Sequence, residues 1–289
     1  MEIIDAYTCA LTSYDDSGFS FERWKKYIDS ALPGLFQTLV SDVKNTLNNG
    51  GASEDDYLSV LNNAAQNHGQ LEAAHDSFLQ VTKNLERIIY ERFGKSLDVT
   101  VAFYLGLCNG AGWVTEYRGK TAILLGMEKI SELNWCSIND MHGLIYHELG
   151  HAYQKQYGTL KRDFDKNEDS FLWQLFTEGV AMCFEQIIVG DSEYYHQDKN
   201  GWKSWCDDHF EQIKSDFAKD LKTMSFANQR YFGDWVNYNG HGDVGYYLGG
   251  RFVRYILSIY EFDEIICFDI AKVKEMFERF ERESGLSVR

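Results

Sequence analysis

The chain has a single proline, Pro33, few low-complexity stretches and no internal repeat in 289 residues, which leaves no obvious interdomain linker. Basic residues are scarce: 28 Lys and Arg stand against 44 Asp and Glu, giving a net charge of -16. Such a surface repels polyanions, so neither nucleic acid nor an anionic membrane is an expected partner. CxxC pairs are absent. The six cysteines (Cys9, Cys108, Cys136, Cys183, Cys206 and Cys267) are scattered, which fits reduced thiols and argues against a disulfide framework or a Cys-based zinc site. No window approaches 18 uninterrupted apolar residues, so no membrane-spanning helix is expected. The N-terminus shows no basic segment followed by an apolar run, so a signal peptide is not expected and the chain reads as cytoplasmic.

What is present argues for a folded globule. Hydrophobic residues make up 44% and aromatics 15%, too much apolar surface for a disordered chain. The length suffices for a sizeable core, as one large domain or two packed subdomains. Phe19 to Leu47 reads as helical, with Trp24, Tyr27, Ile28, Leu32, Leu35, Phe36, Leu39 and Val43 at helical spacings. The Gly/Asn-rich loop Asn48 to Ser53 is the best candidate break, with Ser53 as a helix N-cap. Leu71 to Phe93 then reads as one long amphipathic helix ended by Gly94. Beyond it the texture changes. Val99, Val101, Phe103 and Leu105 alternate as in a strand, and Trp113 to Tyr117, Arg118-Gly119 and Lys120 to Leu125 form a hairpin pattern. The remainder reads as helices over roughly 138–157, 170–189, 203–223, 244–260 and 269–282. The expected fold class is α+β, mostly α: an N-terminal helical region, 1–94, and a second region, 95–289, in which a small sheet precedes the helices.

His147-Glu148-Leu-Gly-His151 is an HExxH motif. Residues four apart on an α-helix are offset by about 40°, so the two imidazoles share a face, one turn apart. Two neutral imidazoles make half of a tetrahedral zinc site, and Glu148 lies where a carboxylate can take a proton from an activated water. Ser137 with Asp140 forms a capping signature that starts the helix near Ile138. Met141, Leu144, Ile145, Leu149 and Ala152 supply its apolar stripe, and Gly158 ends it. A third ligand is required. The metzincin pattern needs glycine at 154 and histidine at 157, where this chain has Gln154 and Tyr157. Glu178 lies 27 residues beyond His151, past the charged loop Lys161 to Asp169, on a helix that Asp169 or Ser170 can cap. The small residues Gly179 and Ala181 beside it let two helices approach closely. Glu185, seven residues on and on nearly the same face, is the alternative. His142 falls on another face, His68, His75, His196 and His209 show no partner pattern, and Trp202 and Trp205 read as core packing.

With these residues the chain resembles the gluzincins, zinc peptidases that combine HExxH with a downstream helical glutamate. It is most similar to predicted zinc-dependent protease families whose signatures are HExxH, then EGxA, then GYxxG: here His147 to His151, Glu178 to Ala181, and Gly245 to Gly249. The resemblance covers roughly residues 97–260 and leaves the N-terminal helices outside. It departs from the thermolysin-like Asn-Glu-x-x-x-Asp pattern, because Thr177 precedes Glu178 and Met182 stands where the orienting aspartate would be. The resemblance implies a zincin-type catalytic domain with one Zn2+ per chain on His147, His151 and Glu178. It implies a peptide or protein substrate, cleaved with Glu148 as general base. An oxyanion donor is implied in the Gly-rich stretch 239–250, with Tyr246 first and Tyr247 or His241 as substitutes. Extended substrate is expected on a strand edge supplied by Gly119 to Gly126, with Gly110 to Gly112 near the cleft. The alternatives are a zinc-binding regulatory protein without hydrolysis, and a zinc amidohydrolase of a non-peptide substrate. Peptide deformylase also has HExxH but draws a ligand from an upstream cysteine in its own motif, a context that Cys136 lacks.

Overall fold

Glu2–Asp5 is too short to show a hydrophobic period, yet it forms strand β1, whose Glu2 pairs with Thr100, 98 residues later. The computed structural model describes residues 1–48, 53–233 and 236–283. Two compact units make up the chain, Met1–Glu148 and Leu149–Arg289, divided within one continuous helix.

In the first unit β1 is followed by helix α1 (Tyr7–Ala10), a minimal hairpin of β2 (Tyr14–Asp15) and β3 (Gly18–Phe19), and helices α2 (Phe21–Ala31) and α3 (Phe36–Asn48). The continuous helix expected over Phe19 to Leu47 is thus interrupted. Pro33 has no N–H to give, and Gly34, at φ 99°, takes a backbone conformation no helix contains. Ser53 caps α4 (Glu54–Gln66) through a reciprocal capping box with Asp56, whereas residues 49–52 of the expected loop lie outside the described residues. Helix α4 is hard to see in sequence because Leu61 and Ala64 are its only buried residues. The single helix expected over Leu71 to Phe93 is two, α5 (His68–Thr82) and α6 (Leu85–Phe93). At their junction the Thr82 hydroxyl donates to the Phe78 carbonyl, a back-bond that bends helices. Gly94, left-handed at φ 64°, closes α6 as its position suggests.

Strand β4 (Val99–Tyr104) is buried along its whole length, not alternately, because it is flanked on both sides. It runs parallel to β1 and to β6 (Lys120–Gly126), and β6 pairs antiparallel with β5 (Gly112–Tyr117), giving a small mixed sheet of order β1-β4-β6-β5. The hairpin turn is Arg118-Gly119, both at positive φ, as a two-residue turn between right-twisted strands requires. Because β6 is paired on both sides, the free edge expected of Gly119 to Gly126 belongs instead to β5. Helices cover the sheet: the Trp24 indole donates to the Leu105 carbonyl, and Phe78 stacks on Phe103 at 5.0 Å. Helix α7 (Met127–Glu132) leads into α8 (Ile138–Tyr157), whose start is fixed by Ser137 and Asp140.

The second unit takes the C-terminal part of α8 and adds α9 (Asn167–Val189), α10 (Trp202–Asp208), α11 (Phe210–Asp220), α12 (Val244–Leu257), α13 (Phe262–Ile265) and α14 (Ile270–Arg282). Helix α9 starts three residues before the expected 170 and has no side-chain cap; the 203–223 segment is two helices that meet at His209. The protein is therefore α+β, mainly helical with one small mixed sheet. Among the described residues no helix is long and apolar enough to cross a membrane.

Candidate metal centre

Helix α8 buries the apolar stripe that carries its motif. Met141, Leu144, Ile145, Leu149 and Ala152 are all buried, as the stripe predicts. The Tyr153 hydroxyl donates to Asp263 at 2.8 Å, tying α8 to α13. Gln154, fully buried, donates its amide to the Thr159 carbonyl just past the helix end. Gly158 ends the helix by closeness, not by a left-handed turn: a Cβ there would lie 2.2 Å from the Ile266 carbonyl oxygen.

Close approach also explains the small residues of the neighbouring helices. A side chain at Gly150 would meet the Ala181 Cα at 2.8 Å, so α8 and α9 nearly touch backbones between His151 and Glu178. On another side of α9, a Cβ at Gly179 would lie 2.2 Å from the Gly249 carbonyl oxygen, and one at Gly249 would lie 2.6 Å from the Leu175 carbonyl oxygen. Gly179 of Glu178-Gly-Val-Ala181 and Gly249 of Gly245-Tyr-Tyr-Leu-Gly249 are therefore two halves of one helix crossing.

At the first crossing His151 Nε2 lies 3.1 Å from Glu178 Oε2. His147, one turn earlier on α8, offers a nitrogen so that the donor atoms of His147, His151 and Glu178 all lie within 4.8 Å of one another. Two imidazoles and a carboxylate form a donor set that suits zinc. A 3.1 Å N···O separation is close to the ligand–ligand edge of about 3.3 Å expected of tetrahedral zinc. His147 is buried, while His151 and Glu178 are partly open to solvent. The residues thus fit a metal that keeps one side accessible.

Glu148, only 6% exposed, sits against β5, one of the two edge strands of the sheet. A Cβ at Gly112, the first residue of β5, would come 2.8 Å from Glu148 Cγ and 2.9 Å from Glu148 Oε1. Only glycine lets the strand backbone pass so near this carboxylate.

The other candidates are placed less centrally. Tyr246 lies in the first turn of α12, edge-on to Phe232, one turn before the Gly249 crossing. Tyr247 is buried and its hydroxyl donates to Asp207 at 2.7 Å; burial first, then this acceptor, raises its pKa well above the ordinary tyrosine value. His241 is held in a turn by backbone bonds to Tyr238 and stacks on Trp205 at 3.8 Å, with His209 on the same indole at 4.3 Å. His142 stacks on Tyr146.

His196, which shows no partner pattern in sequence, has a carboxylate partner in the fold. His196 Nδ1 lies 3.0 and 3.1 Å from the two oxygens of Glu185, a fully buried carboxylate. Glu185, His196 and His147 form a second group of donor atoms within 4.8 Å. His196 comes from the irregular segment between α9 and α10, where no periodicity exists to reveal it. Neither protein-family models, curated proteins nor solved structures yield a match to this chain.

Proposed function

We propose that the protein is a zinc-dependent metallopeptidase of gluzincin type, holding one Zn2+ on His147, His151 and Glu178 and hydrolysing peptide bonds in the cytoplasm. The observation that carries this reading is the convergence of the Glu178 carboxylate on the two imidazoles of an HExxH helix. Zinc, when bound, supplies the Lewis acidity that polarises a carbonyl and brings the pKa of a water near neutrality. Glu148 takes a proton from the attacking water as its oxygen bonds to the peptide carbon, and returns a proton to the leaving nitrogen as the C–N bond breaks.

The sheet edge supports a peptide substrate. An extended backbone added to β5 would be held by main-chain hydrogen bonds, and Gly112 brings that edge against Glu148. Tyr246 is the donor proposed for a developing oxyanion, in preference to Tyr247, whose hydroxyl donates to Asp207, and His241, which is packed on Trp205.

Metal analysis together with a peptide-library digest, run with and without chelator, tests the proposal. Wild type should carry about one zinc per chain and cleave peptides only when loaded. Glu148→Gln should keep the metal and lose activity by about 10²–10⁴-fold. Glu178→Ala should lose the metal. Undiminished cleavage by Glu148→Gln removes the general base, and a zinc-loaded wild type that cleaves no peptide makes the protein a binding module or an enzyme of other substrates.

A further inference from the structure

The contacts between α8 and α9 form a ladder. As residue numbers fall along α8 from His151 through Gly150 to His147, they rise along α9 from Glu178 through Ala181 to Glu185, so the helices run antiparallel. Glu178 and Glu185 are two turns apart on one face; Glu178 groups with both His147 and His151, and Glu185 has a donor atom within 4.8 Å of one on His147. The two rungs differ in exposure. His151 and Glu178 are partly open, whereas His147, Glu185 and His196 are all buried. A carboxylate at 0% exposure is costly unless it is paired and hydrogen-bonded, and an apolar side chain would fill the same space without that cost. An imidazole that binds a metal through one nitrogen almost always gives its other N–H to a carboxylate or carbonyl, which fixes its tautomer and ring orientation. Glu185 is a buried carboxylate with a donor atom within 4.8 Å of His147, and His196 Nδ1 lies 3.1 and 3.0 Å from its two oxygens.

We infer that Glu185, braced by His196, is the positioning residue for His147: it holds the imidazole in the tautomer and orientation that a metal ligand needs. The inference rests on the metal site proposed above. It gives Glu185 a role distinct from that of a third ligand, and it supplies the orienting acid that the sequence lacks at Met182.

Zinc affinity measured by chelator competition, with total metal content and the imidazole ¹⁵N spectrum of the loaded protein, tests it on wild type, Glu185→Gln and His196→Gln. Wild type and both variants should bind one zinc. Affinity should fall by about 10–100-fold in Glu185→Gln and by less, in the same direction, in His196→Gln. The His147 N–H resonance should exchange faster with water in both variants, which a purely structural loss would not single out. If Glu185→Gln does not unfold cooperatively, His196→Gln, which keeps the carboxylate, carries the comparison. Wild-type affinity in both variants overturns the positioning role and leaves the metal site standing. Two zinc ions in wild type, falling to one in Glu185→Gln, overturn it by making the buried group a metal site itself. A wild type that binds no zinc removes the proposed function and this inference together.

Discussion

Single residues in this fold do work that only their surroundings explain. Glu128 is fully buried at the start of α7 and accepts backbone N–H bonds from Gly106 and Cys108, each at 2.9 Å, which fixes the segment after β4. Burial pushes its carboxyl above the ordinary value, and those N–H donors hold it partly back. Glu128→Ala should cost about 1–3 kcal/mol for each amide left without an acceptor, read as a fall in the urea midpoint. Because the folded value is raised, the carboxyl's contribution is whole below the ordinary carboxylate range and is lost as pH rises through the folded value. The gap between wild type and variant should therefore narrow over that rise, and a gap that widens would contradict the assignment. Legibility at this scale follows the source of each neighbour. The shared face of His147 and His151 is helix arithmetic, but the same arithmetic offers Glu178 and Glu185 alike. His196 reaches Glu185 from an irregular segment, and the Glu128 contacts depend on a loop path that no spacing encodes.

Among the elements, α9 is notched on two sides, by Gly179 against α12 and by Ala181 against Gly150 of α8. Gly179→Ala should gain about 1 kcal/mol in helix propensity. It should lose more than that, because the new Cβ meets the Gly249 carbonyl, which is backbone and cannot rotate aside. The expected result is a lower thermal midpoint and, at the proposed metal site, weaker zinc binding, since displacing α9 moves Glu178. A midpoint at or above that of wild type would show that the crossing tolerates separation. Element boundaries were legible where local chemistry sets them. Ser137 and Asp140 mark the start of α8, Arg118-Gly119 marks the hairpin, and Gly94 marks the end of α6. They were illegible where apolar periodicity runs on through a break, as at Pro33-Gly34 and after Thr82, or where an element is as short as β1.

For the molecule as a whole, a net charge of -16 sets a background of self-repulsion. Raising the ionic strength from 0.01 to 0.15 M shortens the reach of charges from about 30 Å to about 8 Å. Short-range pairs such as Lys203 with Asp207, 2.7 Å apart, are screened less than the diffuse repulsion. The thermal midpoint of the metal-free protein should rise over that interval; a fall would mean that attractive pairs outweigh the net charge. The sheet carries a different consequence, one of timing. Strand β1 is made before β4, and Thr100, the partner of Glu2, follows 98 residues later. At synthesis rates of about 5–20 residues per second, that leaves β1 without its mate for roughly 5–20 s. Glu2 and Asp5 at its ends are the kind of charge that keeps a waiting strand from joining the wrong neighbour. The residues of this strand thus stand ready in the nascent chain long before the sheet can receive them.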